Sequence, residues 1–411
     1  MRPHGHPERR ELRHWHRALL RLLLFLLTGV ICLLAAEAIT RLVAPRPISY
    51  PWMDQGNAGV IPLPGVHGRH FVPGTYDTTF SFSSQRFRGG QTYGSEPGTG
   101  ATRIVMLGSS ATFGSGANDD ESYPFQLQSM LQEQALQNGS KPGFEVINAG
   151  IPGTVVAEQA LWYDDWVKHF HPQIVVLNVA CAVDYVTGVF RMDENGRALP
   201  REPERLRESA SSARAIRELA KRTPGYIFLS EHSELFNLVA LKLGELFRHR
   251  RNAALAYDFA QQESSASANA EHNRALLLES AEVMWLSERV EDSGARLVVI
   301  VLPCRENVYP ARSPQAEQIR REYAAVVTTL RAATTQARVP FADLGPELRS
   351  TAAHSSQPLF YDGRFETHPT PAGYRAIAQE VAEFLREAGV IPLSGGRLPG
   401  FPGPPRIATA E

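Results

Sequence analysis

Cysteine is scarce in this chain. Three occur in 411 residues: Cys32, Cys181 and Cys304. They are too few for a disulfide framework, and with no C-x-x-C spacing they support neither a zinc ribbon nor a thioredoxin-type redox site. Excess charge is lacking too. The formal net charge is −1, so no basic surplus draws nucleic acid and no acidic block forms a solvating tail. There is no Walker A loop, no G-x-G-x-x-G and no G-x-S-x-G, which removes the P-loop, the dinucleotide fingerprint and the α/β-hydrolase elbow. No internal repeat is visible, no cofactor is implied, and nothing in the sequence specifies a protein partner. His4, His6, His14 and His16 fall on an exposed basic tail and are read as surface rather than as metal ligands.

What is present is an ordinary apolar share of 43%, enough for one large domain with additions. The N-terminus stands apart from it. Residues 1–17 form a basic tail carrying Arg2, Arg9, Arg10, Arg13 and Arg17, followed by a Leu-rich run with no charge from Leu22 to Ala36. Ala18 to Thr40 is 23 residues, long enough to cross a bilayer of about 30 Å at about 1.5 Å per residue. The basic residues precede the span, which predicts a single-pass anchor with the N-terminus in the cytoplasm and the domain outside, periplasmic or extracellular. Ala36-Glu37-Ala38 also resembles a small-residue cleavage site, so a removed signal peptide stays open. Either reading exports the domain.

Residues 45–100 are rich in Pro, Gly and aromatics, with a short strand or hairpin over Thr75–Phe82. Residues 101–390 alternate short apolar runs with longer helical ones. Strands are expected at Ile104–Leu107, Glu145–Asn148, Ile174–Val179, Leu297–Leu302 and, weakly, Val339–Ala342. Helices are expected at Tyr123–Gln137, Val155–Phe170, Ala266–Ser293, Gln315–Ala337 and Pro371–Glu387. This is the pattern of an α/β fold, a parallel sheet with helices on both faces. About Gly188 to Ser265 reads as a charged helical insertion, a lid or appendage packed on the main domain. Its second half shows Phe236, Val239, Leu243, Leu246 and Phe247 at helical spacing. Residues 391–411 are Pro/Gly-rich and read as a disordered tail.

In an open parallel sheet, ligands bind beyond the carboxyl ends of the strands. The first strand runs into Gly108-Ser109-Ser110, where a glycine permits a sharp turn and a serine would sit near backbone N–H donors able to hold an oxyanion. The second strand ends in a turn with Gly150 and Gly153, whose backbones can approach a ligand. Asn178 lies inside the third strand and is read as core. Cys181 could border the pocket. Cys181 and Cys304 end strands expected to be neighbours, which leaves a disulfide between them open. His368 lies in a loop just before an amphipathic helix, where a neutral imidazole can take a proton from a serine and return it to a leaving group. Asp362 and Glu366 are the nearby acids that could orient it.

These pieces together resemble the SGNH (GDSL-type) hydrolases, specifically their membrane-anchored bacterial members, over about Phe80 to Leu385. "SQRFRG" is similar to the lead-in and "RIVMLGSSATFGSG" to the nucleophile block. "EVINAGIPGT" and "HPQIVVLNVACAVDY" are similar to the second and third blocks, and "THPTPAGYRAIAQEVAEFL" to the histidine block. The resemblance implies a three-layer flavodoxin-like sheet ordered 2-1-3-4-5. It implies Ser110 as nucleophile, Gly153 as oxyanion glycine and His368 as base. Three positions depart from the family. Ser109 replaces the aspartate of Gly-Asp-Ser. Ala182, Val183 and Asp184 stand where Gly-Asn-Asp is usual. Phe365 occupies the usual place of the acid that supports the histidine.

The expectation is therefore an exported esterase or O-acyltransferase acting on an ester, with an O-acetylated glycan as one candidate substrate. Ser110, His368 and Asp362 are the catalytic candidates; Gly153, Ser109 and Arg305 are the oxyanion or substrate contacts. The alternative is a degenerate relative that binds a glycan or a partner in the envelope without turnover.

Overall fold

The computed structural model of the protein describes residues 8–43, 53–56, 59–72, 74–137, 143–182, 189–200, 225–239, 268–309, 313–362 and 367–391. It opens with α1 (Glu8–Val43) and two antiparallel hairpins, β1 (Met53–Gly56) with β2 (Gly59–Pro62) and β3 (His67–Val72) with β4 (Tyr76–Ser81). The α/β part follows: β5 (Thr102–Leu107), α2 (Ser110–Phe113), α3 (Tyr123–Gln137), β6 (Phe144–Asn148), α4 (Val156–Asp165) and β7 (Ile174–Val179). A small hairpin, β8 (Phe190–Met192) with β9 (Ala198–Pro200), precedes α5 (Tyr226–His232) and α6 (Ala268–Asp292). The remainder is β10 (Arg296–Val301), α7 (Arg305–Val308), α8 (Pro314–Ala337), β11 (Phe341–Asp343), α9 (Gly345–His354) and α10 (Pro371–Glu387).

Five strands form one sheet in the order β11-β10-β7-β5-β6, all parallel. Counted along the chain this is 2-1-3-4-5, the expected order. The central strands are buried on both faces, and their residues alternate between two cores as strand geometry requires. Val105, Leu107, Val175, Leu177, Val299 and Val301 face a core shared with α4, α6 and α8. Ile104, Met106, Val176, Val298 and Ile300 face the other, closed by α3, α9 and α10.

Several boundaries differ from the sequence reading, each for a local reason. Val155–Phe170 is not one helix: α4 stops at Asp165, Trp166 leaves helical geometry, and Val167–Phe170 continue as a 3-10 turn. Trp166 stacks on Trp162 and donates its indole N–H to the carbonyl of Gln85 at 3.1 Å, which fixes the break. The weak fifth strand begins at Phe341, not Val339. Pro340 has no N–H to give, and only its carbonyl joins the sheet, accepting from Val299 N at 2.9 Å. The insertion is not wholly helical either. It begins with the β8–β9 hairpin, whose turn is set by Asp193 Oδ1 accepting from Asn195 N and Arg197 N and by Gly196 at φ +75°. Leu243, Leu246 and Phe247 lie outside the described residues, as does the tail from residue 392.

Within α1, Leu19–Val43 spans 25 residues with mean hydropathy 2.6, long and apolar enough to cross a membrane.

Candidate active site

The turn after β5 carries the serine. Gly108 sits at φ +155°, and a Cβ there would lie 2.1 Å from Thr112 Oγ1, so only glycine allows the chain to fold back so tightly. Ser109 stands at the N-cap position of the short α2, with no capping bond from its side chain, and Ser110 is the first residue of that helix. Gly150, at the end of β6, comes equally close: its Cβ would meet Phe113 N at 2.4 Å. Beneath the turn, Thr112 Oγ1 accepts from Asn178 Nδ2 at 3.0 Å and shares a hydrogen bond with Tyr123 at 2.9 Å. Asn178 is thus a buried support of the turn, in line with its reading as core.

The histidine arrives on a loop fixed at both sides. Phe360 and Pro369 form an antiparallel bridge, Tyr361 N donates to His368 O at 2.9 Å, and Thr370 caps α10 by accepting from Gly373 N at 3.1 Å. Gly373 is required because a Cβ would lie 1.8 Å from the carbonyl oxygen of Leu359. Two tyrosines staple this region to the serine turn: Tyr361 donates to Gly116 O at 3.0 Å and Tyr374 to Ser115 O at 2.8 Å. The result is that His368 Nε2 lies 2.8 Å from Ser110 Oγ. An imidazole bonded in this way to a serine hydroxyl can withdraw its proton as the oxygen attacks an electrophile.

The other candidates follow the carboxyl ends of strands of the same sheet or lie in the histidine loop. Gly153, at φ +75°, follows β6, with no atom within 4 Å of the place a Cβ would occupy. Cys181, after β7, and Cys304, after β10, are joined as a disulfide with Cα atoms 5.3 Å apart. Cys304 is also the N-cap of α7, and the next residue, Arg305, pairs with Asp362 at 2.7 Å. The two ends of that pair differ: the arginine side chain is 21% exposed and the carboxylate 83%. Arg305 Nε is buried and has no hydrogen-bond partner among the described residues. Asp362, expected behind the imidazole, thus has its recorded ion pair with Arg305. Glu366, the other acid considered, lies outside the described residues, as do Val183, Asp184 and Phe365.

Sequence reasoning quoted Arg88 only as part of a lead-in motif. The structure gives it a task. Its guanidinium is buried behind the serine turn, donating to the carbonyls of Phe113, Gly114 and Ala117 and to Asp119 Oδ1 at 2.9 Å. Burial pushes its pKa down and Asp119 opposes that. The available signal was an arginine placed among Phe80, Phe82 and Phe87, where a charge needs a buried reason.

Residues 258–397 match the family model of the SGNH hydrolase-like domain of the acetyltransferase AlgX. The match is to a segment of this chain and not to the whole of it. The matched SGNH segment runs from before α6 through the His368 loop and α10, and leaves the serine turn outside it. Among solved structures, the chain is similar to TesA at 12% identity, with 70% of this chain and 99% of that one covered and a TM-score of 0.37. It is similar to a catalytic mutant of Axe2, an acetylxylan esterase from Geobacillus stearothermophilus, at 12% identity, 70% and 94% coverage and a TM-score of 0.38. It is also similar to a putative lipolytic protein of the G-D-S-L family from Desulfitobacterium hafniense, at 12% identity, 69% and 99% coverage and a TM-score of 0.34. No curated protein matches the chain.

Proposed function

We propose that this protein is an exported, membrane-anchored serine esterase or O-acyltransferase, with an O-acetylated glycan as the favoured substrate. The observation that carries the reading is the 2.8 Å contact between Ser110 Oγ and His368 Nε2 at the carboxyl edge of a parallel sheet. Ser110 Oγ attacks the acyl carbonyl carbon while its proton passes to His368 Nε2. The backbone N–H groups of Ser110 and Gly153 hold the oxyanion, with Ser109 beside them. The imidazolium then gives its proton to the departing alcohol oxygen, leaving the acyl group on Ser110. Water or a sugar hydroxyl, deprotonated by His368, takes that group away. Arg305, steadied by Asp362 and the Cys181–Cys304 bond, orients an anionic or glycan substrate. The acetyltransferase named in the matched family model supports acetyl as the acyl unit. Retention of α1 as the anchor, with the domain outside, is supported by its length, its hydropathy and the one-sided arginine tail.

The test is p-nitrophenyl acetate turnover by the full chain in detergent beside Ser110→Ala. Turnover that disappears in the variant supports the enzyme, and equal rates sink it. The second reading, a glycan binder without catalysis, is favoured by the sequence, where the third block lacks the family's asparagine and Phe365 stands at the usual place of the acid. Glycan binding that survives Ser110→Ala, with no ester turned over by either protein, would establish it.

A further inference from the structure

The described part of the insertion is bound to the end of the apolar helix. Glu37 of α1 accepts from Ser233 Oγ at 2.7 Å, Glu234 N at 2.9 Å and Leu235 N at 3.0 Å. One turn further on, Arg41 pairs with Glu37 at 2.7 Å and donates to His232 O at 2.7 Å. The carboxylate thus takes up N–H groups where residues 234–239 begin a new helical stretch, and the arginine takes the last carbonyl of α5, that of His232. On α1 itself Thr40 is buried by this contact, while Ile39, Leu42 and Val43 on the opposite side stay exposed.

The level of this clamp along α1 matters. A hydrocarbon layer of about 30 Å takes up about 20 helical residues. Counted from Leu19, that layer ends near Ala38, so Glu37 and Arg41 fall at the boundary between acyl chains and headgroups. Four residues separate them, about 6 Å of rise, which matches the thickness of the zone where amphipathic helices lie. The clamped segment leaves large apolar side chains exposed on either side of the clamp. Phe228 is 61% exposed, Leu229 44% and Val239 50%. Single exposed apolar residues mean little, but here they extend the apolar surface of a span. Beside them His232 stacks on Phe228 at 4.4 Å, a ring with an apolar body and a polar tip.

We propose that residues 225–239 form an interfacial shelf, clamped by Glu37 and Arg41, that lays Phe228, Leu229 and Val239 into the domain-side leaflet of the membrane α1 crosses. The proposal rests on α1 being a retained span. The shelf makes the anchor more than a tether, because a helix joined to its domain only by a linker would let the domain swing.

The test uses the full chain in nanodiscs of phosphatidylethanolamine and phosphatidylglycerol. Spin labels are placed through Leu27→Cys, Phe228→Cys and Thr328→Cys, each in a Cys32→Ser background without reductant. Collision with oxygen and with a water-soluble nickel chelate is read for each label. The label at 228 is expected to collide severalfold less with nickel than the one at 328, and to sit shallower than the one at 27. Adding Glu37→Ala is expected to bring the 228 label back to the nickel exposure of 328 with thermal unfolding of the domain unchanged. A 228 label as wet as 328 while 27 is immersed overturns the shelf and leaves the anchor standing. A 228 label still immersed with Glu37→Ala overturns the clamp. A domain released from the disc without residue 27 overturns both the shelf and the anchor.

Discussion

Ser110 Oγ and His368 Nε2 stand 2.8 Å apart although 258 positions separate them in the chain. The contact is held from both sides, by Tyr361 and Tyr374 reaching from the histidine region to the main chain of the serine turn. If the two side chains act as one unit, His368→Ala lowers kcat for p-nitrophenyl acetate by about 10²- to 10⁴-fold, the usual share of a general base. KM should change little. The double variant with Ser110→Ala should be no slower than Ser110→Ala alone, because groups that act together do not add. Losses that multiply would show that the two residues work separately.

Arg88 places the serine turn without facing the substrate. Replacing it by Met removes a donor from the carbonyls of Gly114 and Ala117 and from Asp119, although Gly114 O keeps Ala117 N and Asp119 keeps Ser81 N and Oγ. Leaving a buried carbonyl without its donor costs about 1–3 kcal/mol, to be read from urea unfolding. Arg88→Lys should recover only part of it, since one ammonium cannot reproduce the planar fork. In both variants kcat should fall more than KM rises. A Met variant as stable as the parent would remove the proposed brace.

The Cys181–Cys304 bond closes a loop of 123 positions and sits one residue before Arg305. Cys304→Ser should reduce stability by about 2–5 kcal/mol through the freed unfolded chain. It should also raise KM for an anionic or glycan ester more than for p-nitrophenyl acetate, because α7 would lose its tie to the end of β7. Thiol titration of the unfolded parent without reductant should find Cys32 alone. Three titrating thiols would dismiss the bond and this effect together.

The central strands were legible because strands buried on both faces appear as largely apolar runs, as Ile174–Val179 and Leu297–Leu302 do, whereas their order was implied by the family resemblance alone. The short β11 was blurred because Pro340 contributes to the ladder through its carbonyl alone. α9 was missed: Gly345-Pro346 looks like a breaker in sequence, yet glycine and proline fit the opening turn of a helix. At the site, Ser110 and His368 could be picked out because each follows a glycine turn or precedes a helix cap. The partner of Asp362 could not, since an exposed acid pairs with whichever cation the fold brings near. Arg88 was hidden for the opposite reason: its value lies in main-chain carbonyls, which leave no mark in side-chain spacing.

Glu380 lies on the face of α10 that meets α9. Burial, then the charges of Glu383 and Glu347, push its carboxyl from 4.5 up to about 7, with a hydrogen bond from Thr351 acting the other way. A carboxyl with a raised pKa holds its proton in the folded state at pH values where the unfolded chain has released it. Between those two pKa values the folded state binds more protons, so stability must fall as pH rises. The contribution is present below about pH 4.5, is lost progressively toward pH 7, and stays lost above it. Glu380→Gln keeps the shape and removes the charge. It should raise Tm at pH 8, where the parent carries a poorly solvated carboxylate beside Glu347 and Glu383, and leave Tm nearly unchanged at pH 4. Thermal unfolding of both proteins across that range checks the slope. An equal Tm difference at both ends would mean that the substitution acts through packing and that Glu380 titrates like any surface acid.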